Sequence, residues 1–337
     1  MTNKNQLGAL DNFRLIAALL VIAIHTSPLW SIDETANLLL TGVFARVAVP
    51  FFFAVTGYFT DFANPSKLRR SAAKTILVYA AAIVVYLPFG TYGASVKMLL
   101  FDGAFYHLWY FPATVIGILI VSALVRLPKT AAFAIAGALY IIGLFGDSYY
   151  NLTAGLPPVR AFYDVVFKAF SYTRNGIFFA PLFLLSGEAL AKRERPMNRI
   201  GSGAGLALSI WCLAMERLLL AKIAFSPRDN MFICLFPATL CLIGFLTSVK
   251  AKPRPCFRSA AMWVYILHPI AMHIADTTAE RLGSDNFFAE HSLLRFVLTA
   301  ALSYPTAFAL TAVKPALARL SASLRGVPRE VKHGNAG

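Results

Sequence analysis

Apolar runs of about the length needed to cross a bilayer recur from residue 15 to residue 312, with no polar block between them, and this repetition limits what the chain can fold into. A membrane-spanning helix needs about 20 mostly apolar residues. On that rule the segments fall near 12–30, 39–60, 72–90, 107–126, 130–146, 174–191, 203–222, 231–249, 258–275 and 292–313. In lipid each backbone N–H and C=O must be satisfied within the protein, so runs of this length are read as helices. The fold class expected is all-α: a polytopic membrane bundle of about ten transmembrane helices. Composition agrees, because 58% of residues are hydrophobic and only 14% are charged, against roughly 25% charged in a soluble domain. One membrane domain is expected over 1–314, followed by a short cytoplasmic tail at 315–337.

The net charge of +15 does not point to nucleic acid, because most of the Lys and Arg residues fall between alternate apolar runs. Lys4 and Arg14 precede the apolar stretch Leu15–Leu29 of the first segment; Lys67, Arg69, Arg70 and Lys74 follow the second; Lys192, Arg193, Arg195 and Arg199 follow the sixth. The same alternation continues at Lys250–Arg258 and after Lys314. The positive-inside rule then puts both termini in the cytoplasm. The first run resembles a signal peptide but contains His25 and lacks an A-x-A site, so it is read as a retained span. The long outer stretch at 147–173 is read as a structured loop or interfacial helix, and the tail after Pro315 as a short amphipathic helix on the inner leaflet. Four cysteines form no CxxC pair, and no HExxH, P-loop, GxGxxG or GxSxG motif is present. No metal site, disulfide framework, nucleotide hydrolysis or serine-hydrolase chemistry is therefore indicated.

Arg14 and His25 are eleven residues apart, close to three helical turns, so they face the same way with about 16 Å between them. Polar side chains at such depth usually face the bundle interior or a water-filled path. Histidine is suited to take a proton from a hydroxyl. The competing account has Arg14 snorkelling to headgroups and His25 bonding a neighbouring helix. The catalytic reading requires one continuous passage joining the two residues.

"LDNFRLIAALLVIAIH" resembles the R-x10-H signature of the acyltransferase-3 family of membrane O-acyltransferases. "PFFFAVTGYF" (50–59), Lys67-Leu-Arg-Arg70 and "WVYILHP" (263–269) resemble further motifs of that family, the third with Lys in place of the first Arg of RxxR. "FARVAVPFFF", "YHLWYFPA", "IGLFGDS" and "TRNGIFFAPLFL" resemble the membrane half of the membrane-bound serine racemases associated with vancomycin resistance. The sequence stops soon after the last apolar run, so racemase chemistry is not expected. The resemblance implies a membrane O-acyltransferase: acyl-CoA, a donor substrate rather than a resident cofactor, arrives from the cytoplasm. A short acyl group then passes to a hydroxyl of an envelope glycan or similar acceptor. It implies His25 as base, Arg14 with Lys67, Arg69 and Arg70 on the CoA side, and His107 and Trp109 at the acceptor entrance. A multi-pass protein of the bacterial inner membrane is implied as well.

Other candidates come from depth alone. Glu216 sits inside the seventh segment, where an ionised carboxyl costs roughly 2.5–3.5 kcal/mol without a partner, and His25, Arg174 and Arg217 are possible partners. It is taken as an orienting acid for His25. Arg174 and Asn175 at the start of the sixth segment, and His268 in the ninth, are candidates for the acceptor path. The alternative function is transport of a small solute such as serine.

Overall fold

A computed structural model describes residues 8–90, 95–283 and 286–324, and all secondary structure among them is helical. The helices are α1 (Gly8–Thr26), α2 (Glu34–Phe59), α3 (Pro65–Phe89), α4 (Tyr110–Leu124), α5 (Lys129–Phe145), α6 (Pro157–Ala169), α7 (Ala180–Ala191), α8 (Arg199–Ile223), α9 (Leu235–Ser248), α10 (Pro255–Arg281) and α11 (Ser292–Leu324). A helix occupies each of the ten expected segments, and α6 lies in the long stretch at 147–173. By length and composition, five can cross a membrane: α1, α2, α3, α8 and the Ser292–Val313 part of α11. Helices α4, α5, α7 and α9 are apolar but shorter.

The short helices have a common cause. The apolar runs feeding α4, α7 and α9 begin as irregular backbone at 103–109, 171–179 and 226–234, and become helical only afterwards. The fourth, sixth and eighth expected segments therefore start too early, at 107, 174 and 231. At membrane depth, non-helical backbone is tolerated where it is buried in protein or lines a cavity. Much of each stretch is buried, Leu108, Thr173 and Phe232 completely so.

Helix α1 is central, packed against α2, α9, α10 and α11. Its small and branched residues Ala17, Ala18, Val21 and Ile22 are buried between two apolar clusters, one running through α2, α4, α7 and α9, the other through α10 and α11. Close approach of α2 and α7 rests on paired glycines: a Cβ on Gly57 would run into the backbone of Leu184, and one on Gly187 into that of Ala54. Without a hydrophobic drive between helices in lipid, such small-residue contacts let backbones pack.

At one end of the bundle the start of α1 meets the start of α10, where the Arg254 N–H donates to Asp11 Oδ2 at 3.1 Å. This end carries the 60–64 junction, followed at once by Lys67, Arg69 and Arg70, and the basic 249–254 junction; His25 and the three irregular stretches lie toward the other. Helix α6 packs Tyr163 and Val166 onto Phe178 and leaves Phe162 and Val165 exposed. The separate tail helix expected after Pro315 does not form, because α11 continues without a break through Pro315 to Leu324. The rest of the tail, with Arg325, Arg329 and Lys332, and Lys4 at the other end, lie outside the described residues.

Candidate functional site

Arg14 lines a cavity of about 330 Å³ at the basic end, within the size range of small-molecule sites, together with Lys74, Arg258, Tyr110, Tyr265, Thr56, Thr60 and apolar residues of α2, α3 and α10. Its guanidinium pairs with Asp11, which is fully buried and also accepts from Arg258 at 3.2 Å. The Arg14 and Arg258 guanidiniums both lie 5.3 Å from the Phe59 ring centroid. One carboxylate thus serves two guanidiniums, with Lys74 in addition, leaving an excess of positive charge over an apolar floor. That combination suits a ligand with anionic groups and an extended, mostly apolar arm.

Neither Lys67, Arg69 nor Arg70 lines this cavity. All three are exposed on the first turn and a half of α3, and Lys67 is bonded to Asp61 at 3.1 Å, holding that carboxyl below its ordinary pKa range. Lys67, Arg69 and Arg70, expected on the CoA side, are thus not beside Arg14; the cations that line the cavity with it are Lys74 and Arg258. Arg70 and Lys74 are four residues apart on the same face of α3, so Lys74 differs in lying one turn further along the helix.

His25 lines a second, smaller cavity of about 50 Å³ with Arg46, Val49, His107, Trp109, Arg174, Asn230 and Tyr265. The three irregular stretches deliver most of these: His107 and Trp109 from the first, Arg174 from the second, Asn230 from the third. The His25 ring stacks on His268 at 5.1 Å and meets Tyr106 edge-on at 5.2 Å. His107 stands 5.4 Å from His268. Three imidazoles gather here, but among the described residues no group of His, Cys, Asp or Glu converges as metal ligands do.

The Leu-His-Pro sequence of α10 has a local explanation. Pro269 has no N–H, so the Tyr265 carbonyl loses its usual i+4 helical donor. His268 Nδ1 takes that place, 2.8 Å from the Tyr265 oxygen. A carbonyl only accepts, so Nδ1 carries the hydrogen and Nε2 keeps a lone pair; Nε2 is buried and makes no hydrogen bond. His268 lines neither cavity and is fully buried behind His25. It packs against His25 and does not line the acceptor path expected from its depth.

Two further expectations are corrected. Glu216 spends both carboxylate oxygens away from His25: Oε1 accepts from Tyr149 Oη at 2.6 Å and Ile233 N–H at 2.5 Å, and Oε2 from Cys234 N–H at 2.8 Å. It holds the start of α9, where a negative group offsets unpaired helix N–H donors. Asn175 lines neither of these two cavities; its Oδ1 accepts from the Ile177 and Phe178 N–H groups at 2.9 and 3.1 Å, shaping the approach to α7.

Arg46, Asp11 and Asn230 were not anticipated. Arg46 had a readable signal, a guanidinium within an apolar run where it costs roughly 2.5–3.5 kcal/mol on insertion scales. It is accommodated by a π turn followed by a 3₁₀ turn at Leu40–Val47. The single passage that the catalytic reading requires between Arg14 and His25 is not present: the two residues line separate cavities, and Val49 and Tyr265 line both, so that reading now depends on these two side chains moving apart.

An acyltransferase domain model matches residues 7–312. The chain belongs to the acyltransferase-3 family. This member, with its long apolar helices, is an integral membrane protein. It is similar to two amino-acid racemases of Enterococcus faecalis, at 36% and 31% identity over 99% and 97% of the chain and 48% and 49% of those relatives. A serine/alanine racemase of Enterococcus gallinarum is 35% identical over 80% of the chain and 41% of the relative. The acyltransferase-3 chain thus spans about half the length of the curated relatives it matches. No solved structure matches it.

Proposed function

We propose that this chain crosses a bacterial plasma membrane about ten times with both termini cytoplasmic, and transfers a short acyl group, such as acetyl, from cytoplasmic acyl-CoA to a hydroxyl of an envelope glycan or similar acceptor. One observation carries this reading: a cationic cavity at Arg14 and an imidazole-lined cavity at His25 back onto the same two residues, Val49 and Tyr265. Arg14, Arg258 and Lys74 take the donor's phosphates, and its pantetheine arm covers the roughly 16 Å to His25 once Val49 and Tyr265, which line both cavities, move apart. His25 accepts the hydroxyl proton as the acceptor oxygen attacks the thioester carbonyl. The new C–O bond forms, the C–S bond breaks, and the proton passes to the departing thiolate to give free CoA. His268, with a fixed tautomer, sets the plane of the His25 ring.

The test uses purified protein and acyl-labelled acetyl-CoA with candidate acceptors. His25→Ala should lower acceptor-dependent CoA release by at least a hundredfold, and Arg258→Gln should raise the KM for acetyl-CoA about tenfold. Full activity in His25→Ala would overturn the reading. A second reading, uptake of a small solute such as serine, is favoured by the racemase names of the relatives and by the small outer cavity. Uptake by reconstituted vesicles in the absence of any CoA would support it instead.

A further inference from the structure

The outer cavity holds more positive charge than its carboxylates balance. Arg46 and Arg174 both donate to one neutral oxygen, Asn230 Oδ1, each at 3.0 Å. Arg46 also reaches Asp229 at 3.1 Å, but Asp229 is shared with Arg217 at 2.6 Å. Asp147, the other acid of the network, accepts the N–H groups of Asn230 and Met231 at 2.5 and 2.8 Å and is completely buried. Three guanidiniums therefore answer to two carboxylates. The Nε of each is buried with no hydrogen-bond partner. Trp109 and Tyr172 face Arg174 at 4.8 and 5.1 Å, fixing its plane without supplying an anion.

A polar group on the opposite wall is also unspent. His107 is 1% exposed and lines the cavity; neither ring nitrogen has a partner at ordinary hydrogen-bond geometry, the Ile266 backbone interacting with the ring only loosely. Buried charges are normally paired and buried polar groups normally bonded, so the cavity lacks one anion and a hydrogen-bonding group beside it. Its volume of about 50 Å³ compares with roughly 10–15 Å³ for a single water on the same kind of measure. A sugar ring does not fit, whereas a carboxylate on a two- or three-carbon skeleton does. Guanidinium forks match the planar carboxylate.

We propose that the outer cavity binds the carboxylate of a small hydroxy acid between Arg46 and Arg174, with the hydroxyl turned toward His25 and His107. This rests on the outer cavity being the acceptor side of the reaction and narrows the acceptor to a compact anion or to the anionic end of a larger molecule. The test measures binding to the purified full-length chain, without CoA, by saturation-transfer NMR. Its probes are L-lactate, L-serine, their methyl esters and inorganic phosphate. Both acids should bind saturably, with the esters and phosphate at least tenfold weaker. Arg46→Gln and Arg174→Gln should each weaken acid binding at least tenfold, and Arg160→Gln, on the exposed face of α6, should not. Absence of saturable acid binding, esters or phosphate that match the acids, or undiminished binding in both glutamine variants would overturn the site. If a glutamine variant fails to fold, the acid-against-ester comparison on the unaltered chain decides alone. Acid binding without acyl transfer would refute the acyltransferase reading and keep the site; transfer without acid preference would do the reverse.

Discussion

Glu216 shows what a single acidic side chain within an apolar helix means once its partners are known. Its carboxylate bridges α8 to the start of α9 through two backbone N–H groups and the Tyr149 hydroxyl. Hydrogen bonds to a charged group contribute about 1.5–3 kcal/mol each, so Glu216→Gln should lower the melting temperature by several degrees while leaving turnover per folded molecule within twofold. Thermal unfolding in detergent beside CoA-release kinetics separates the two; lost turnover at unchanged stability would return Glu216 to the chemistry. At this scale the sequence was legible where the partner lay on the same helix. Arg14 and His25 share α1, and helical spacing alone turns both inward. Arg258 reaches Asp11 from the far end of the chain, and no local pattern reports such a pairing. Its charge, like that of Lys74, was absorbed into the positive-inside count.

Among the elements, α10 makes the sharpest prediction. Pro269→Ala would restore an N–H to the Tyr265 carbonyl, displacing His268 Nδ1 and releasing the imidazole to either tautomer. Helix stability should hold or rise, as the change removes a residue costing about 3 kcal/mol in an ordinary helix interior, while kcat falls at least fivefold with KM for acetyl-CoA unchanged. Steady-state kinetics paired with melting curves check this, and unaltered kcat would show that the His268 tautomer does not matter. Apolar length located a helix in each of the ten expected segments, while α6 came only from the reading of 147–173 as a structured loop or interfacial helix. The irregular starts before α4, α7 and α9 were not visible, because the large apolar residues of "FYHLWYF", "TRNGIFFA" and "MFICLF" run on without a break into the helices that follow. Their backbone departs from the helix to fill space around a cavity that only the assembled bundle defines.

Across the whole molecule, the two cavities meet without joining, and Val49 and Tyr265 form the partition. Val49→Trp should thicken it: acyl transfer should fall more than tenfold, while acetyl-CoA binding at the basic end stays within twofold. Equilibrium binding and CoA release on one preparation would show this, and transfer at the normal rate would mean that the acyl group does not pass there. The ten-segment bundle and its inward-facing first helix were readable from residues, but the partition was not. It arises from α2 and α10 meeting beside α1, a contact between parts of the chain more than two hundred residues apart. The wall also bears on leakage. An uninterrupted aqueous conduit through a membrane protein would discharge any ion gradient across the bilayer that holds it. One aliphatic and one aromatic side chain, Val49 and Tyr265, stand where such a conduit would run.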